Sequence, residues 1–134
     1  DVVYIAYSGG NGVLRAISGD GSKELINVNS VGLDRNKAIA GADIDGDGLK
    51  DIIVGKRMWA HGPTGDVEPN APQVVYWFHL QRGEDGRVNF VPHLIDSESG
   101  VGVQITAADV NNDGRIDVLT ASKLGCFVFL NRGE

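Results

Sequence analysis

Residues 38–55 read AIAGADIDGDGLKDIIVG, and residues 104–121 read QITAADVNNDGRIDVLTA. The two stretches align without a gap at an offset of 66 residues. Ile39 matches Ile105, Ala42 matches Ala108, Asp43 matches Asp109, Asp47 matches Asp113, Gly48 matches Gly114 and Asp51 matches Asp117. Each copy has the same layout: a short apolar run, a loop of Asp, Asn and Gly, and a second run rich in β-branched residues. Runs of this length bounded by turn formers read as strands. Recurrence at a fixed offset is the mark of a repeated supersecondary unit. The stretch therefore predicts an all-β fold assembled from small repeated sheets.

Outward from these copies the pattern continues. Strands are predicted near residues 2–7, 12–17, 24–28, 37–42, 51–56, 74–81, 89–95, 103–108, 117–121 and 126–130, with Gly, Asn, Asp and Ser between them. No segment sustains apolar residues at i, i+3 and i+4 with caps, which argues against helices. Asp1-Val2-Val3 resembles Asp51-Ile52-Ile53 and Asp117-Val118-Leu119, so a third, partial copy is expected to open the chain. Its Asp1 is then the last Asp of a loop whose first part lies upstream. The chain is thus expected to begin inside a repeat, as a fragment of a larger protein. The spacing from Asp1 to Asp51 is shorter than that from Asp51 to Asp117, and the Gly- and Pro-rich insertion at 58–72 accounts for nearly all of the difference. The expected organisation is a single segment, 1–134, made of a partial unit at 1–36, a full unit with its insertion at 37–99 and a partial unit at 100–134.

Composition bounds the function. The chain has 134 residues, 42% of them hydrophobic, enough for one domain with a core and too apolar for whole-chain disorder. The net charge is −6 and no basic patch is present, which excludes a nucleic-acid binder. No apolar run is long enough for a membrane-spanning helix, and no signal-peptide pattern is present. A single cysteine, Cys126, rules out an intrachain disulfide; within Cys-Phe-Val-Phe-Leu it reads as a small buried residue.

The acidic residues are concentrated. Asp43, Asp45, Asp47 and Asp51 form one cluster, and Asp109, Asp113 and Asp117 another. In the first loop, side-chain oxygens fall at positions 1, 3, 5 and 9. Alternate residues turn away, so the odd positions converge. Calcium is a hard cation that takes about six to eight oxygen ligands. The expected ligands are Asp43, Asp45, Asp47, the Leu49 carbonyl and Asp51, and then Asp109, Asn111, Asp113, the Arg115 carbonyl and Asp117, one Ca²⁺ per loop. Gly48 and Gly114 take the turning position. Without a cation the carboxylates would repel one another. An EF-hand needs Glu at its twelfth position, where these loops have Val54 and Thr120, and the following residues read as strand. Magnesium prefers a compact octahedron with retained waters. Zinc prefers His and Cys, which the loops lack.

With their flanking strands, ADIDGDGLKDIIVG and ADVNNDGRIDVLTAS resemble FG-GAP/VCBS repeats, the calcium-loop blades of integrin-α-like β-propellers. The resemblance covers both loops; the second carries Asn112 where the family has Gly. It implies that each loop joins the first two strands of a four-stranded antiparallel blade and that the ion stiffens the turn. The chain then amounts to about two to three blades of a partial β-propeller, whereas complete propellers have roughly four to eight. Blades bury their faces on neighbours. The expected partners are therefore other blades of the parent chain or further copies of this one, with a protein or glycan as ligand.

Other residues are weaker candidate sites. Trp59 and His61 lie in the insertion beside Asp66, and Trp77 follows it; exposed, they would suit stacking on a sugar or a protein partner, but a buried Trp59 anchoring a stiff loop is the simpler expectation. His79 and His93 read as half-buried sheet residues. No Gly-x-Ser-x-Gly elbow accompanies Ser8, Ser18, Ser22 or Ser30, and Gly9-Gly10-Asn11-Gly12 reads as a hairpin turn rather than a phosphate cradle. The sequence therefore predicts a non-enzymatic, calcium-binding adhesion or scaffolding module. The competing expectation is a lectin-like or accessory part of a larger secreted enzyme. An extracytoplasmic setting is expected, because millimolar calcium keeps weak loops filled.

Overall fold

The computed structural model describes residues 2–7, 13–18, 24–29, 37–66 and 68–133, and gives the backbone alone for 2–7, 13–18, 24–29 and 37–39. Asp1, the turn at 9–12 and Ser8, Ser22 and Ser30 lie outside the described residues. The protein is all-β. Ten strands are present among the described residues, and no helix: β1 (Val2–Tyr7), β2 (Val13–Ser18), β3 (Glu24–Asn29), β4 (Lys37–Ala42), β5 (Asp51–Lys56), β6 (Val75–Arg82), β7 (Val88–Asp96), β8 (Ile105–Ala108), β9 (Asp117–Ser122) and β10 (Gly125–Phe129). All ten expected strands are found, with ends moved by at most two residues. β8 starts late because Val103 is 81% exposed and has left the sheet.

The strands pair antiparallel in sequence order and form three sheets, β1-β2-β3, β4-β5-β6-β7 and β8-β9-β10. These fall within 1–36, 37–99 and 100–134 in turn. The first sheet forms a unit of its own, Asp1–Asn36, with a bulge at Ala16/Ile17 on its β2–β3 pairing. The other two sheets form the second unit, Lys37–Glu134. A propeller needs closure around an axis, and the described residues show three sheets of three, four and three strands with no such closure.

The register within the second unit is set by alternation. Ala40 lies opposite Ile53, Ile53 opposite Trp77, and Trp77 opposite His93, so the four share one face. That face meets β8 and β9. Ala42, Ile53, Val75, Val101, Ile105 and Val118 form the buried core, with Trp77, Ala107 and Phe129 packed around it. Alternation also corrects one expectation. Phe127 and Phe129 turn to the covered face and stack 6.4 Å apart, which leaves Cys126 and Val128 on the other face, and Cys126 is exposed. An apolar neighbourhood in sequence did not bury it, because the sheet beyond β9 has only one covered side.

The two sheets are joined across Val101. Its N–H donates to the Lys56 carbonyl at 3.1 Å, and Arg57 bridges to it in parallel. The Val101 side chain sits directly on Gly55: a Cβ added at Gly55 would lie 2.1 Å from Val101 Cγ1. Val101 is fully buried and has little room to yield. Gly55→Ala should therefore destabilise the second unit by about 1–3 kcal/mol through overpacking. Urea unfolding of the variant and wild type tests this; equal midpoints would mean that Val101 moves aside freely.

Candidate metal centre

Both Asp-rich loops are built on the same device, a buried carboxylate at the ninth position. Asp51 and Asp117 open β5 and β9 and are 1% and 0% exposed. Asp51 Oδ2 accepts the Ile44 N–H at 3.0 Å, and Asp117 Oδ2 accepts the Val110 N–H at 3.0 Å. The second oxygen reaches further. Asp51 Oδ1 accepts the Leu80 N–H from β6 at 2.9 Å. Asp117 Oδ1 accepts the Asn131 N–H, just past β10, at 2.8 Å. Each carboxylate thus ties the second residue of its loop to the third strand of its sheet. Burial is the largest influence on Asp51 and pushes its carboxyl above the ordinary carboxylate value, while the Leu80 and Ile44 N–H groups pull it back.

The loops in front of these carboxylates are wound by their own side chains. Asp43 accepts from the N–H of Gly46 at 2.8 Å and of Gly48 at 3.0 Å. Asp45 Oδ1 accepts from Asp47 N–H, and Asp47 Oδ1 from Leu49 N–H. The second loop repeats three of these bonds, Asp109 with Gly114, Asn111 with Asp113 and Asp113 with Arg115, and replaces the fourth: Asp109 Oδ1 accepts from Asp113 N–H, one residue beyond the match of Gly46. Gly48 and Gly114 have φ of +87° and +84°, the left-handed region that the expected turn requires. Asn112 takes φ +62° where the first loop has Gly46 at +81°, and Asn tolerates that region better than most residues.

The first loop gathers its carboxylates. One oxygen each from Asp43, Asp45 and Asp51 lie within 4.8 Å of one another. Asp45 and Asp47 make a second such group with His79, whose Nε2 is 3.0 Å from Asp45 Oδ2 and 3.7 Å from Asp47 Oδ2. A carboxylate only accepts, so Nε2 carries the proton there. The His79 ring is itself held, stacked 5.6 Å from Trp77, which stacks 4.5 Å from His93. Sequence reading did not connect His79 to the loop. Only the β5–β6 pairing, which sets Ile53 opposite Trp77, brings His79 to the sheet face that Asp51 shares.

In the second loop the cation is an arginine. Arg115 Nη2 pairs with Asp113 Oδ2 at 2.5 Å, and its Nε donates to the Asn131 carbonyl at 2.8 Å. Asp113 is held below the ordinary carboxylate range, first by the Arg115 N–H, against some desolvation, and then by Asn111 and the Arg115 charge. Among the described residues this loop assembles no triad of His, Cys, Asp or Glu like those of the first. Asn111 supplies an amide in place of a carboxylate.

The donor chemistry fits a hard metal ion. One oxygen from each of three carboxylates converges in the first loop, and hard cations such as calcium take oxygen ligands. Asp43, Asp45 and Asp51 could hold such an ion, and so could Asp45 and Asp47 with His79; Asp109, Asn111, Asp113 and Asp117 stand at the matching positions of the second loop. The Leu49 and Arg115 carbonyls occupy position 7 in both, each with its N–H fixed by the preceding Asp.

The insertion is organised around Asp66. Its carboxylate accepts from the N–H of Ala60 and of His61, and lies 2.9 Å from His61 Nδ1. Trp59 is half-buried at φ +36°, with its indole N–H on the Pro69 carbonyl at 2.9 Å and its own carbonyl accepting from Lys123 Nζ at 2.6 Å. His61 is exposed. Trp77 packs against the core.

No protein-family model matches the chain, and no curated protein matches it. No helix among the described residues is long and apolar enough to cross a membrane. Asp51→Ala should cost about 2–4 kcal/mol, because it strands two buried N–H groups at once. Guanidinium unfolding in the presence of a chelator isolates this loss from any metal effect. A change below about 0.5 kcal/mol, the scale of an ordinary surface substitution, would show that the carboxylate does not pin the loop.

Proposed function

We propose that this chain is a calcium-binding segment of FG-GAP/VCBS type, in which two Asp-rich loops each take a Ca²⁺ and stiffen the sheets of a β-propeller-like module. The observation that carries the reading is the convergence of Asp43, Asp45 and Asp51 oxygens within 4.8 Å, on a loop whose twin shares three of its hydrogen bonds. All-oxygen donors and a flexible loop favour calcium over magnesium, and the lack of Cys and His within the loops disfavours zinc. Asp43, Asp45, Asp47 and Asp51 hold the first ion, with the Leu49 carbonyl. Asp109, Asn111, Asp113 and Asp117 hold the second, with the Arg115 carbonyl. When bound, the ions supply charge neutralisation and cross-linking, and no catalysis.

The protein's own residues define the rest of this role. His79 and Arg115 rest on the carboxylates that the ions would share, so an ion would displace a ring N–H in the first loop and a guanidinium in the second. The buried ends of the loops stay anchored through Asp51 and Asp117. A module of this kind serves adhesion or scaffolding outside the cytoplasm, packed on further blades or copies and presenting its surface to a protein or glycan.

Calcium should raise the melting temperature of the wild type; at about a hundredfold excess over the dissociation constant, binding to one site adds about 2.7 kcal/mol. Asp47→Ala should lose most of that gain in calcium and melt within about 0.5 kcal/mol of wild type in chelator, since Asp47 is exposed. Differential scanning calorimetry with and without EDTA measures both. Identical wild-type transitions in the two conditions would refute the reading.

A further inference from the structure

We propose that Asn131 couples the two loops, so that an ion in one strengthens binding in the other. The inference rests on the calcium reading above and concerns residues that reading leaves out. Asn131 follows β10 and has all of its polar groups engaged. Towards the second loop, its N–H donates to Asp117 Oδ1 at 2.8 Å, and its carbonyl accepts from Arg115 Nε at 2.8 Å. Its Nδ2 donates to the Ile116 carbonyl at 3.3 Å. Towards the first loop, Nδ2 donates to the Ile44 carbonyl at 2.7 Å, across 87 residues of sequence. Oδ1 accepts from the Gly133 N–H at 3.0 Å, which fixes the side-chain amide plane.

Ile44 stands between two expected ligands, Asp43 and Asp45. Its N–H is held by Asp51 and its carbonyl by Asn131, so the peptide that aims Asp45 is clamped from both sides. At the second loop, Arg115 bridges from Asp113 to the Asn131 carbonyl. Arg115 and Asp117 border the second loop's expected ligands and each holds the Asn131 backbone, so a change at that loop reaches Asn131 through one hydrogen bond. Ordering Asp117 and Arg115 around an ion therefore orders Asn131, and an ordered Asn131 presents Ile44 ready for the first loop. A site whose ordering cost has already been met binds more tightly, and the effect is reciprocal. The first loop has no such bridge of its own, because Leu80, which matches Asn131 there, offers only its N–H to Asp51.

Isothermal titration with CaCl₂ tests this on the whole chain through a mutant cycle. Asp113→Asn, which cripples the second loop, should weaken calcium at the first loop about fivefold or more, the lower range of typical coupling. Asp47→Asn should weaken the second loop by the same factor, as linkage demands. In an Asn131→Ala background both factors should fall to about one while both sites still bind. A purely structural Asn131 would lower both affinities and leave the factors intact. Should Asn131→Ala fail to fold, Asn131→Ser serves in its place, and the cycle in the native background still decides. A wild type that takes up no calcium would overturn the loop reading itself. Two independent sites in the wild type, or coupling that survives in either Asn131 variant, would overturn this inference and leave the loop reading standing. The Ile44 amide resonance should shift when the second loop is loaded in the Asp47→Asn chain; a fixed resonance would also overturn it.

Discussion

A carboxylate buried at the start of a strand and satisfied by two backbone N–H groups is the constraint on which this structure turns. Burying a charge unpaired is costly, so Asp51 and Asp117 persist inside only because each oxygen has a donor. Those donors come from two directions, the loop before the strand and the third strand of the same sheet. One side chain therefore fixes where the loop begins, where the strand begins and how far away the third strand lies. The rest of each loop is free to point its remaining acidic groups outward, because its ends no longer depend on them.

The outward groups form a concentrated negative charge, and the fold brings nitrogen donors to it. His79 arrives from β6 and Arg115 from within its own loop. The two solutions differ in reach. His79 is positioned by an aromatic stack through Trp77 to His93, so its place depends on β6 and β7 being paired. Arg115 is local, and its second hold is the Asn131 carbonyl. The loops are alike in backbone and unlike in the donors that meet their carboxylates.

Packing between the two sheets follows from the same alternation that lays out the loops. β5 is buried on both sides, with Ile53 facing β8 and β9 and Ile52 and Val54 facing away. β9 and β10 are covered on one side only. Val118 and Phe129 face the core, and Cys126 and Val128 face out. A sheet covered on one face should alternate apolar and polar residues. β10 does not, which is why its sequence suggested more burial than it has.

The sequence by itself determined the strands, their order, both loops and the residue at each loop position. These are local properties: a period of two, turn formers at the breaks, and a repeat whose copies align without a gap. The αL glycines were legible for the same reason, since only a few residues tolerate that backbone. Tertiary structure decided what depends on contacts distant in sequence. His79 on Asp45, Leu80 on Asp51 and Asn131 on Ile44 join residues 34, 29 and 87 positions apart. No pattern in the chain marks those residues out, because the insertion at 58–72 lengthens the path to the third strand in one copy and not in the other. Sheet pairing closes these distances, and the exposure of Cys126 was likewise fixed by which face of β10 found a neighbour.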